Sequence, residues 1–132
     1  MKTIIPDSNV FLRFLLNDIP EQKKLAEKLL TQAKNKEASL LVPQIVIFEI
    51  DFILEKYYLF SKKEVVERLK SLISTDYIEI ESKEAFGEAL KIYEKQPISF
   101  VDCFLIARAR LEEVELFTFD QKLSKLATTT TR

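Results

Sequence analysis

The chain contains no histidine, one glycine (Gly87) and one cysteine (Cys103) in 132 residues. Without histidine there is no Ser-His-Asp or Cys-His nucleophile system, no imidazole zinc site and no His-based general acid–base ribonuclease. A single glycine cannot build a dinucleotide-binding loop or a P-loop. A single cysteine excludes an internal disulfide and a Cys-cluster zinc site. No apolar run approaches the ~20 residues that span a bilayer, and the N-terminus lacks a signal-peptide pattern. The expectation is a cytoplasmic protein with no membrane partner. The net charge is −1, from 20 basic and 21 acidic residues, so the chain is not coated in positive charge. Nucleic acid would have to be met by a local basic patch, or by metal ions that reverse the local sign. The main reagents left for catalysis are carboxylates.

With 47% apolar and 31% charged residues, the composition is that of a globular domain, and 132 residues suit one. Residues 1–132 read as a single α/β unit without linker or repeat. The expected order is a strand at Ile4–Ile5, a helix over 9–16, and a cap-and-proline start at Asp18-Ile19-Pro20-Glu21 opening a helix over 20–35. A strand at Ser39–Val42, a strongly apolar helix from Pro43 to Tyr58 and a helix capped by Ser61 follow. Then come a strand at Tyr77–Ile80, a helix over 83–95, and a helix capped by Ser99 that runs to Glu113. A strand at Glu115–Phe119 and a short helix over 121–127 complete the pattern. Strands alternating with helices imply a three-layer sandwich: a central, mostly parallel sheet of four to five short strands flanked by helices.

Ligands of such sheets bind outside the carboxyl ends of the strands. Asp7 stands just past the first expected strand and Asp120 just past the last. Each also has an ordinary explanation as a helix cap. Two further acids lie inside apolar helices. In QIVIFEIDFILEK (44–56), Glu49 falls at 100° per residue within the arc of Ile45, Val46, Phe52 and Ile53. Asp51 and Glu55 point the opposite way and read as solvated acids. In ISFVDCFLIARA (98–109), Asp102 is flanked by Ile98, Leu105, Ile106 and Ala109, and faces inward. Its place in a first helical turn offers partial relief through the helix dipole.

A buried unpaired carboxylate costs several kcal/mol and is normally paired or metal-bound. Arg13, one turn after Asn9, is the best-placed cation, and one arginine cannot neutralise four acids. A divalent ion can, and oxygen-only ligands favour Mg²⁺ or Mn²⁺ over zinc.

The segment PDSNVFLRFLLNDIPEQ resembles the start of the PIN-domain ribonucleases, in particular the VapC-type toxins of toxin–antitoxin systems. That family has a strand, then Asp-Thr/Ser-Asn/Ser, then an apolar helix carrying Arg and an Asp-x-Pro-Glu-like turn. It places a Glu in an apolar helix after the second strand, matched by Glu49, and an Asp in a late apolar helix, matched by Asp102. It ends on Thr-x-Asp, matched by Thr118-Phe119-Asp120. The ordered set spans nearly the whole chain.

The resemblance implies a metal-dependent endoribonuclease, homodimeric, blocked by a small antitoxin protein. Asp7, Glu49, Asp102 and Asp120 would be catalytic and hold Mg²⁺ or Mn²⁺. Ser8, Asn9, Arg13, Ser99 and Thr118 would support them or meet RNA. Two departures stand out. Lys122 occupies a position where some members carry another acid, which weakens the case for a second metal. The C-terminal TTTTR replaces the further strand of many members. Two other readings compete. A haloacid-dehalogenase-type phosphatase would use Asp7 as nucleophile, but Asn9 stands where its general acid belongs. A non-catalytic PIN-like interaction module would bind a partner without cleaving. The Tyr57/Tyr58/Phe60 cluster and the apolar face of 65–73 read as core, or as a dimer or antitoxin surface.

Overall fold

The computed structural model describes residues 1–128. Of the terminal TTTTR (128–132), Thr128 closes the last helix and 129–132 lie outside the described residues. Two compact units make up the chain, residues 1–81 and the remainder from Ser82.

The first unit carries the sheet. Strands β1 (Lys2–Ile4), β2 (Ala38–Val42) and β3 (Ile78–Ile80) pair in parallel in the order β1-β2-β3. Thr3 faces Ser39, and Leu41 faces Glu79. Helices α1 (Ser8–Leu15) and α2 (Pro20–Lys34) lead from β1 to β2. Helix α3 (Gln44–Phe52), a π-helical turn (Ile53–Tyr57) and α4 (Lys62–Ile73) lead from β2 to β3. The α/β class expected from the strand–helix alternation is therefore what the chain has, a parallel sheet flanked by helices. Three strands occur among the described residues, not four to five.

The missing strand is Glu115–Phe119. Its residues are irregular, with Phe117 79% and Phe119 94% exposed. Alternating β-formers make a strand only when a neighbour accepts their backbone groups. No such ladder forms for this segment among the described residues.

Local signals set most helix ends. Asp7 caps α1, and Pro20 sits in the first turn of α2. The cap of α2 is Ile19, without a side-chain hydrogen bond, because the expected Asp18 is engaged elsewhere. Ser61 and Glu64 form a reciprocal capping box at α4. Helix α3 has only Pro43 at its cap, and the Glu81 carboxylate just past β3 accepts from the Gln44 N–H at 3.1 Å instead.

The core of this unit is built from Phe11, Leu12, Leu40, Val42, Ile47, Ile50, Leu54 and Leu69, each at most 1% exposed. Each such side chain contributes roughly 1.5–3 kcal/mol by leaving water.

The second unit is helical: α5 (Lys83–Lys95), α6 (Phe100–Glu112) and α7 (Gln121–Thr128). Phe86 of α5 stacks on Phe100 and tilts against Phe104, with centroids 6.0 and 4.6 Å apart. Tyr93 meets Phe100 edge-on at 5.7 Å. The Arg110 guanidinium donates twice to the Leu126 carbonyl, at 3.0 and 2.6 Å, tying α6 to α7. Among the described residues no helix is long and apolar enough to cross a membrane.

Candidate active site

Asp7 is exposed at the carboxyl end of β1, and its Oδ1 accepts from the Val10 N–H at 3.3 Å. Capping and site chemistry are compatible, because a carboxylate has a second oxygen. Ser8 follows as the first residue of α1 and is 4% exposed. Its hydroxyl donates to Glu49 Oε1. Glu49 thus meets the residue next to Asp7, and one buried hydroxyl joins the start of α1 to the middle of α3. Asn9 is exposed in the same turn.

Helix α3 is rotated from the expected phase. Its buried face is Val46, Ile47, Ile50 and Asp51, while Ile45 and Phe52 are 70% and 57% exposed and Glu49 is exposed with them. Glu49 is therefore a reachable carboxylate rather than a buried one. Asp51, expected to be solvated, is 7% exposed, with Oδ1 lacking a hydrogen-bond partner. Burial, then a hydrogen bond to Glu55 and the charge of Glu55, push its carboxyl up to about 9, and Lys56 opposes them. Burial thus favours the protonated form of Asp51 at neutral pH.

Arg13 has a side chain 11% exposed. Its Nη2 donates to the Tyr58 hydroxyl at 2.9 Å and lies 3.4 Å from Asp18 Oδ2. Tyr58 donates in turn to Asp18 at 3.2 Å. The guanidinium therefore braces the end of α1 against the π-helix. Tyr58 was not legible as its partner, since 45 positions separate the two.

In the second unit, Ser99 caps α6 by accepting from the Asp102 N–H at 3.1 Å. Asp102 lies half-buried in the first turn, where the helix dipole favours a carboxylate. Its inward neighbours Ile106 and Ala109 are buried, but Leu105 is 45% exposed. Thr118 Oγ1 accepts from the Asp120 N–H at 3.1 Å. Asp120 is exposed and its Oδ1 accepts from the N–H groups of Lys122 and Leu123, at 2.9 and 3.2 Å, capping α7.

Each unit thus supplies two of the four acids, each with a hydroxyl beside it. Within each unit the side chains offered are carboxylates and hydroxyls, the oxygen chemistry that Mg²⁺ and Mn²⁺ prefer. Among the described residues no three His, Cys, Asp or Glu side chains stand grouped as a metal site.

A family model described as PIN domain matches residues 4–128. The chain belongs to the PIN domain family. It is 27% identical over 121 residues to a protein of Aquifex aeolicus (strain VF5) described as VapC ribonuclease, covering 91% of this chain and 89% of that one. No solved structure matches it.

Proposed function

We propose that this PIN domain is a divalent-metal-dependent endoribonuclease of the VapC type, the toxin of a toxin–antitoxin pair. The observation that carries the reading is the Ser8–Glu49 hydrogen bond beside Asp7. It brings a carboxylate from α3 to the residue that follows the strand-end carboxylate, in a chain similar to a VapC ribonuclease along nine-tenths of its length. The family match runs through both units, which supports treating residues 1–132 as one domain.

In this reading Asp7, Glu49, Asp102 and Asp120 supply the oxygen ligands of Mg²⁺ or Mn²⁺. Such an ion, held there, would supply Lewis-acid activation of a water and charge balance at a phosphodiester. Ser8 orients Glu49, Ser99 sets the turn that presents Asp102, and Thr118 shapes the backbone before Asp120. Asn9 meets RNA beside Asp7. Arg13 braces α1 through Asp18 and Tyr58. A small antitoxin protein, a homodimeric state and a cytoplasmic location complete the proposal.

The test is cleavage of single-stranded RNA by the purified chain, with Mn²⁺ and with EDTA. Cleavage that needs the metal and disappears in Asp7→Asn supports the reading. Undiminished cleavage by Asp7→Asn overturns it, and absence of cleavage by the parent chain favours a non-catalytic interaction module.

A further inference from the structure

Beyond Glu49, the exposed face that runs from α3 into the π-helix has no role in that reading. Glu49, Phe52 and Lys56 stand three and four positions apart, all exposed, and so follow one another along one side. The π-turn ends on Tyr57, which is 78% exposed. Phe52, Lys56 and Tyr57 line a groove of about 600 Å³ together with Asn9, Leu12 and Ile53. That is the volume of a typical ligand site. Arg13 and Tyr58 complete the lining, so both of its charged residues are cationic and none is acidic.

The groove is also braced. Tyr58 meets Tyr57 edge-on, with centroids 5.1 Å apart and planes at 76°. The far end of Tyr58 is held by Arg13 and Asp18. Tyr57 therefore rests against a ring that is itself tied down, and this lowers the cost of ordering it around a ligand.

We propose that this groove is a subsite for single-stranded RNA, in which Phe52 and Tyr57 stack an unpaired base next to the cleaved bond and Lys56 meets its phosphate. The proposal rests on the nuclease reading and names where the substrate strand runs. Aromatic faces hold any base by stacking, and cations hold the backbone. Continuity favours RNA over a peptide. The groove begins at Asn9, two residues from Asp7, and at Phe52, three residues from Glu49. A strand whose phosphodiester lies at those acids passes directly into it. Asn9 brings both a donor and an acceptor to a base edge.

The experiment is fluorescence anisotropy of a labelled, unstructured RNA oligonucleotide, in EDTA and in the Asp7→Asn background, so that neither cleavage nor metal enters. Tyr57→Ala is expected to weaken binding about tenfold, while Tyr57→Phe, which keeps the ring, binds like its parent. Lys56→Ala is expected to lower the slope of log affinity against log salt by about 0.7. Thermal melts establish that the variants fold. Parent-like RNA affinity in both Tyr57→Ala and Lys56→Ala overturns the subsite, even if those variants lose a protein partner. So does a parent that binds no RNA. Failure of the nuclease reading shows separately, as absence of Mn²⁺-dependent cleavage by the unmutated chain.

Discussion

The hydroxyl of Ser8 and the carboxylate of Glu49, 41 positions apart, are joined by a hydrogen bond. Ser8 is 4% exposed while Glu49 is exposed, so the bond reaches from the core to the surface. It limits the rotamers open to Glu49 without enclosing it. The cost of aiming that carboxylate is met when the chain folds rather than when it binds.

Ser8→Ala is accordingly expected to lower RNA cleavage or metal affinity about 10- to 100-fold, the usual effect of removing a group that orients a ligand. Stability should fall by only about 1 kcal/mol. Ser8→Thr keeps the hydroxyl and should restore most of the activity. Metal titration of the three proteins, with urea unfolding alongside, checks both parts.

Asp7 has an observed capping role and a proposed catalytic one, which substitution can separate. Asn is as good a helix cap as Asp, whereas Ala loses about 1 kcal/mol. Asp7→Asn should therefore melt like the parent and fail to cleave. Asp7→Ala should lose both the activity and that increment of stability. Equal melting of the two variants would mean that the Val10 N–H contact contributes nothing.

Asp51 gives the chain a pH dependence of its own. Its folded value of about 9 lies above the ordinary 3.8. Between about pH 4 and pH 9 the folded chain thus holds this proton more tightly than the unfolded chain. The contribution is complete at the acid end, falls as pH rises, and is gone above the folded value. Asn at this position cannot ionise and keeps nearly the same shape. Asp51→Asn should therefore flatten the stability profile and gain on the parent as pH rises. Urea midpoints in mildly acidic, neutral and mildly alkaline buffer measure this, and parallel profiles would refute it.

What could be read from residues alone divides by range. Caps are local, so Asp7, Ser61 and Ser99 were legible as helix starts. The phase of α3 was not, because apolar residues surround most of it and an angular average has little to grip. Ile45 and Phe52 look like core and are 70% and 57% exposed, while Asp51 is inside. The four acids were proposed as a set from order and type, whereas Ser8 as the partner of Glu49 is a long-range fact that no local pattern carries. Glu115–Phe119 has the alternation of a strand, but alternation does not supply a neighbour. Asp18 looked like a cap, and Arg13 and Tyr58 claim it instead.

Gly87 offers a test with no bearing on the site. It lies within α5, and a Cβ built on it meets nothing within 4 Å. Its φ is not positive, so the backbone does not require glycine there. Glycine in a helix costs about 0.5–1 kcal/mol relative to alanine, through the freedom it loses on folding. Gly87→Ala should therefore stabilise the protein by about that amount, by restricting the unfolded chain rather than by adding a contact. Cleavage should not change. A higher urea midpoint with an unaltered slope is the expected result. A lower midpoint would mean that α5 needs the space which the open position leaves.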